Sequence, residues 1–487
     1  MVRGAALAGD GGPRVFLPQA GRPARDRGWM VYVVLLLAAL GSEFVDENPF
    51  EAIPFVPWPR FIAVFALTCF LAYLSLLRRE PRPPAPGVKT PVLYFWYFTQ
   101  LSLLGILWMG PTGDKLLKFF LSDVHFTVYV VFVYALLRLL TWERLWVLVR
   151  SYYALGLVAA AVGMVQFVHA RTGSFAVLPS QLLAIDETYS VVGVRVSALF
   201  GEPSYAARYF VHWIALSLAF YTITEKRRYL YGAGLFVFAF YTAASLAGAV
   251  VFLSFFGILA LVMLRGRRFR VPRPLKLGVL AAGTAAAAWG MLAAIFSWSV
   301  PVPDLIGGTL DRIELVRMGL GGSHVRFDSV VAGLKVWLLS PVSGVGLGNL
   351  RLYVGQFYTE PDTFLRSYMG TDSAYSTILG ELGVVGLAAF LYMVARVVRG
   401  PFTGRARTLT IHRDDPARTL LAFLQIDFAA QAIGMINYAD ILSPHLWFVV
   451  ALILGLQESI ARREAARPAP APDAPALPPP AAAAARA

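Results

Sequence analysis

The chain has 487 residues, of which 57% are hydrophobic and 15% charged, with a formal net charge of +14. That balance excludes a soluble globular protein and describes one that crosses a membrane many times. The single cysteine, Cys69, excludes an intrachain disulfide and a cysteine-based metal site.

Residues 1–28 form a polar cytoplasmic segment, and residues 29–464 a transmembrane domain. Its apolar stretches are continuous rather than alternating, so they read as helices and not as the strands of a barrel. The expected fold is all-α, with about twelve spans each long enough for some 30 Å of hydrocarbon. They lie near 29–44, 61–77, 91–110, 125–141, 151–170, 205–223, 229–244, 247–264, 277–300, 374–395, 419–437 and 445–460. The first of these resembles a signal-peptide core over Val31 to Leu40, but it reads as a retained anchor. Residues 465–487 form a Pro/Ala-rich, disordered cytoplasmic tail.

The basic surplus follows this topology. Clusters at Arg14 to Arg27, Arg78 to Lys89, Lys226 to Arg228, Arg265 to Lys276, Arg396 to Arg418 and Arg462 to Arg467 all fall on one side of the membrane. This is the positive-inside pattern, with both termini cytoplasmic, and it assigns the charge to topology rather than to nucleic acid. The two long loops, 171–204 and 301–373, then lie on the extracytoplasmic face. No ATP is available there, so chemistry on that face needs a pre-activated substrate.

The polar residues concentrate in and beside those loops. The first loop ends in R-V-S-A-L-F-G-E-P-S-Y, Arg195 to Tyr205, with Pro203 suited to the first turn of the next helix. Beyond it, Arg208 and His212 stand four residues apart on one helix face. Charges within a span are costly and face a cavity or a partner; the structural alternative here is a Glu202–Arg208 pair. The second loop is expected to hold an amphipathic helix capped by Ser323. Its apolar face is Val330, Val331, Leu334, Trp337 and Leu338; it is stopped by Pro341 and either lies at the membrane surface or packs over a cavity mouth.

Arg326 falls in the first turn of that helix, beside His324. A guanidinium together with helix N-terminal amides makes a phosphate site; a salt bridge to Asp328 or Glu314 is the structural alternative. The run Gly344 to Asn349, including Gly346, reads as a tight turn of closely approaching backbone, with spacing unlike a dinucleotide fingerprint. Asp372 and Tyr375 open the tenth span. Asp372 has the chemistry to accept a proton from a sugar hydroxyl, and equally to cap the helix. Glu381 and Asp427, the latter with Gln425 and Gln431, read as hydrogen-bonding partners of neighbouring helices. No sequence motif calls for a metal.

Three segments together, R-V-S-A-L-F-G-E-P-S, then S-H-V-R with S-P-V-S-G-V-G-L-G-N, and D-S-A-Y-S-T-I-L-G-E-L-G-V-V-G, resemble the O-antigen polymerase and ligase superfamily. These are bacterial membrane glycosyltransferases, and the resemblance covers roughly residues 150–400. It implies an inner-membrane enzyme with its site on the periplasmic face. Such an enzyme acts without metal or cofactor on a glycan carried by undecaprenyl pyrophosphate and inverts the anomeric carbon. By motif match, Arg195 and Arg326 hold the pyrophosphate; from their chemistry and position, Asp372 or Glu202 is expected to orient or deprotonate the acceptor. His324, Arg208, His212, Tyr375, Gly346 and Asn349 complete the substrate contacts. The implied partners are the lipid-linked oligosaccharide, the bilayer and a chain-length regulator protein.

The chain departs from the ligases, which have a His-Asn pair where Asp372-Ser373 stands here. It also lacks an arginine found near Ser245 to Gly248. A polysaccharide polymerase is therefore the expectation. A ligase delivering glycan to lipid A core or protein is the alternative, and a non-enzymatic flippase of the same lipid-linked sugars a third.

Overall fold

The computed structural model describes residues 33, 66–70, 90–174, 196–200, 202–243, 245–265, 322–358, 371–402, 415–438 and 443–465, with the backbone alone described at 90, 171, 246, 265, 322–326, 400–402 and 464–465. The expected span at 277–300, all but residue 33 of that at 29–44, all but 66–70 of that at 61–77, the terminal segments, Arg195 and the side chains of His324 and Arg326 lie outside the described residues.

All regular structure among the described residues is helical. We number the helices α1 (Thr90–Gln100), α2 (Ser102–Trp108), α3 (Gly113–Leu139), α4 (Trp142–Thr172), α5 (Pro203–Thr224), α6 (Arg228–Thr242) and α7 (Leu246–Arg265). They continue with α8 (Gly322–Trp337), α9 (Leu350–Tyr353), α10 (Ala374–Phe402), α11 (Pro416–Gly434) and α12 (Pro444–Ala465). Among the described residues, seven stretches are long and apolar enough to cross a membrane: Pro91–Trp108, Gly113–Leu139, Trp142–Ala170, Ala247–Leu264, Ala374–Arg399, Pro416–Asn437 and Pro444–Arg463. This is consistent with a polytopic membrane protein. The expected spans at 205–223 and 229–244 form α5 and α6, which are not among the seven.

Local signals set many of the ends. Thr112 and Thr141 accept hydrogen bonds from the first-turn amides of Lys115 and Arg144, and Asp415 does the same for Arg418. Pro203 and Pro416 open α5 and α11, where a missing N–H costs nothing. Helix α3 begins twelve residues ahead of the span expected at 125, because the capped turn at Thr112 is polar and hydropathy alone does not register it.

Helix α5 is apolar around most of its circumference, so it occupies the centre, packed against α4, α6, α7 and α11. Helix α11 is buried almost as completely and joins α5 to α7, α10 and α12. The N-terminal ends of α5, α10 and α12 and the C-terminal end of α11 meet at one end of the bundle. The Ala374 N–H, at the start of α10, donates to Tyr438 O just beyond α11 (2.8 Å).

Helix α10 is broken at Gly383, whose φ of 65° and ψ of −169° lie outside the helical region. The break frees the N–H groups of Val384 and Val385 and the carbonyls of Gly380 and Glu381. The segment after α8 takes up all four: Val384 donates to Pro341 O (2.9 Å) and Val385 to Val342 O (3.3 Å). In return, Val345 donates to Gly380 O (2.9 Å) and Gly346 to Glu381 O (3.0 Å). Irregular backbone beside a membrane-spanning helix is tolerated when its polar groups are satisfied in this way.

The exchange needs close approach. Gly344, Gly346 and Gly348 all have positive φ, and a Cβ at Gly344 would stand 2.2 Å from the Glu381 backbone. The run therefore forms the tight turn its glycines predict, wedged between α2, α3 and α10.

Helix α8 differs from its expected form. It starts at Gly322, so Ser323 is its second residue rather than its cap. It buries Ser329, Ala332, Gly333 and Val336 against the protein, exposes Leu334 and Leu338 of the expected apolar face, and leaves Val330, Val331 and Trp337 partly buried. The reason is close packing on α10: a Cβ at Gly333 would come within 2.8 Å of Thr371 Cγ2 and 2.9 Å of Ser376 Oγ. Small residues permit that approach and large ones do not.

Candidate functional site

The polar groups of the bundle collect where α5, α10, α11 and α12 converge. Arg208, one turn into α5, is buried. Its guanidinium carbon lies 3.5 Å from the Tyr438 ring centroid and 4.6 Å from that of Tyr205. Its Nε donates to Ser204 O (3.3 Å). Stacking on aromatic faces suits a flat, delocalised cation held out of bulk water. The alternative Glu202–Arg208 pair does not form; the exposed Glu202 carboxylate accepts the Ser204 hydroxyl at 2.5 Å.

Two rungs tie α5 to α11. The Gln431 amide donates to Arg208 O (3.1 Å), and the Tyr438 hydroxyl lies 2.9 Å from Gln431 O and 3.1 Å from its Oε1. One turn deeper, His212 Nδ1 contacts Asp427 Oδ2, with both side chains buried. Arg208 and His212 are four apart on α5, and Gln431 and Asp427 four apart on α11, so the two faces match rung for rung. Asp427 was expected to bond a neighbouring helix; its partner is His212.

A second polar track runs along α12 and α4. The Tyr209 hydroxyl is 2.6 Å from Ser443 Oγ, its ring centroid is 4.2 Å from that of His445, and His445 Nδ1 is 3.2 Å from the Tyr152 hydroxyl. The described part of the first loop packs here too. Gln166 clamps Ala198 by donating to its carbonyl (2.7 Å) and accepting its N–H (2.8 Å), and Phe200 stacks on Tyr209 with centroids 4.9 Å apart. Val196 donates to Thr242 O (3.1 Å).

Asp372 and Tyr375 enter from the start of α10. The Asp372 N–H donates to Ser329 Oγ of α8 (3.1 Å), and the Tyr375 hydroxyl donates to Ala432 O (2.6 Å). Helix α10 starts at Ala374, so Ser373 rather than Asp372 stands immediately before it. The half-buried Asp372 is thus held by its backbone. Position 326 lies one turn ahead of Ser329 on the same helix, with residues 326, 329 and 333 on a common face by helical periodicity.

Of the sequence-predicted residues, Glu202, Arg208, His212, Asp372 and Tyr375 come together at this end. Gly346 and Asn349 do not join them. They belong to the turn at the α10 break, where Asn349 is fully buried and donates to Lys115 O (3.2 Å). Sequence reasoning missed Tyr438, Tyr209 and His445. The available signal was the density of aromatic and polar residues flanking Asn437 to His445, between two apolar spans. Among the described residues no group of three or more His, Cys, Asp or Glu is placed to hold a metal ion.

No known protein-family description matches the chain, and no curated protein matches it in sequence.

Proposed function

We propose that the chain is a polysaccharide polymerase of the O-antigen or exopolysaccharide type. It would lie in the bacterial inner membrane with both termini in the cytoplasm and its site at the periplasmic face. The reading rests on the motif resemblance and is supported by one structural observation. Contacts run unbroken from Tyr205 through Arg208 and Tyr438 to Ala374, and from Asp372 to Ser329 of α8. That path links, at one end of the bundle, the helix that follows the first motif segment, the start of the third, and α8 three residues beyond the S-H-V-R of the second.

In this reading the donor is a glycan on undecaprenyl pyrophosphate, and the acceptor is the non-reducing end of another lipid-linked repeat. The acceptor hydroxyl oxygen attacks the anomeric carbon from the face opposite the pyrophosphate. The glycosidic bond forms as the bond from the anomeric carbon to the pyrophosphate oxygen breaks, and undecaprenyl pyrophosphate departs. Arg195 and Arg326 neutralise the charge that develops on the leaving group. Asp372 or Glu202 takes the hydroxyl proton; both are open to solvent to some degree, as a group that must release a proton afterwards requires.

The test is reconstitution of the purified protein in liposomes with a defined undecaprenyl-pyrophosphate oligosaccharide. Ladders of longer lipid-linked glycans are expected from the wild type and not from Arg326→Ala at equal protein level. Transfer only to lipid A core or protein would identify a ligase instead. No transfer to any acceptor would sink the enzymatic reading.

A further inference from the structure

Residues 327–358 fold as a hairpin. Helix α8 runs alongside α10 in the same direction, from Ser329 beside Asp372 to Pro341 beside Val384. The glycine turn then reverses the chain, and α9 with the turn after it returns, packed through Leu350 and Val354 against Ala332 and Val336. The turn meets α10 at Gly380 to Val385, six to eleven residues along that helix, or about 9–16 Å from its first residue at 1.5 Å per residue. Since α10 is one of the membrane-crossing stretches, the hairpin descends along a span.

The surface of α8 is inverted for a helix in water. Its small residues face α10, while Phe327 is 69% exposed, Leu334 40%, Leu338 65% and Val342, just beyond the helix, 64%. These four recur at spacings of seven, four and four and so form a stripe down one side. The stripe leads directly to α10, because Val342 O accepts from Val385 N and the adjacent Val384 is itself exposed, as is Leu391 two turns further on. The charged residues described on the hairpin are Asp328, Lys335 and Arg351. Lys335 sits on α8, where side chains lean toward the helix N-terminus and the long stem can reach back to the surface. Arg351 lies on the returning arm, which is the polar one: Tyr353 beside it carries the Lys115 ammonium 5.3 Å above its ring.

We infer that the outer face of α8, from Phe327 through Leu334 and Leu338 to Val342, is a lipid-contact surface. It is inserted among the acyl chains of the leaflet in which α10 begins, and it is not part of an aqueous loop. Small residues inward and large apolar residues outward is the pattern for a helix whose outer solvent is hydrocarbon, where close packing and not apolar burial drives association. The inference is independent of the glycosyl-transfer reading.

The experiment uses the full chain with Cys69→Ser, a single nitroxide on Leu338→Cys or Val342→Cys, and lipid nanodiscs. Collision of each label with oxygen and with a water-soluble nickel chelate is read by power saturation. Leu391→Cys on α10 and Lys226→Cys in the α5–α6 connection serve as lipid and water references. Oxygen-dominated collisions like those at 391 are expected at both positions. A nickel-dominated profile like that at 226, or low collision with both probes as under a covering protein, would overturn the inference. Phe327→Cys and Leu334→Cys give the same readout should either first variant fail to fold.

Discussion

Tyr438 lays its ring against the guanidinium of Arg208, 3.5 Å from ring centroid to the central carbon. Through its carbonyl it also receives the first N–H of α10. One residue outside any helix thereby holds a buried cation of α5, the C-terminal end of α11 and the entry to α10. In a medium of low polarity, an aromatic face and fixed dipoles are what keep such a cation in place.

Tyr438→Phe should keep the stack and lose the hydroxyl's contact with Gln431, a cost of about 1 kcal/mol. Tyr438→Leu removes the π face as well and should cost about 2–4 kcal/mol. Thermal unfolding in detergent orders the two variants. Equal stability would mean that the ring does not hold Arg208.

The His212–Asp427 contact gives a sharper comparison. Asp427→Ala leaves His212 buried without its acid and should destabilise by about 3–5 kcal/mol, whereas His212→Leu combined with Asp427→Leu should cost distinctly less. A double variant as unstable as the sum of the singles would show that the two residues do not act as a pair.

Gly346 has a φ of +102°, and a Cβ there would stand 2.4 Å from Ile106 Cγ1. Gly346→Ala should cost about 2–4 kcal/mol from backbone strain and overpacking together. Gly355, with open space around it, should accept alanine almost neutrally. If both variants unfold at the same temperature, the turn is not wedged as described.

Ser329→Ala removes the acceptor of the Asp372 N–H. If Asp372 serves the acceptor hydroxyl, turnover in the reconstituted transfer reaction should fall about five- to tenfold, as the loss of one positioning hydrogen bond implies. Protein level and melting temperature should stay near wild type. Unchanged turnover would remove Asp372 from the reacting centre.

Much of this was legible in the chain. The spans at 91–110, 151–170, 247–264, 374–395, 419–437 and 445–460 correspond to apolar stretches of the structure, since length and hydropathy answer directly to bilayer thickness. The glycines at 344, 346 and 348 announced a close turn, because positive φ and missing side chains are local properties. The partners of that turn, Ile106, Ser122 and Glu381, were not legible, because nothing local encodes contacts across such distances in sequence. The inward face of helix α8 was not legible for a different reason. Hydrophobic periodicity assumes water outside, and here small residues pack inward.

By itself the sequence determined an all-helical, membrane-crossing chain, the caps that begin α3, α4 and α11, and the polar segments flanking the spans. Those are consequences of local composition and of solvent polarity. Tertiary structure alone decided that Arg208 lies between two tyrosines, that Asp427 answers His212, and that the glycine turn repairs the break in α10. Each needs groups 30 to more than 200 positions apart. Their meeting depends on how the helices cross, which no single segment encodes.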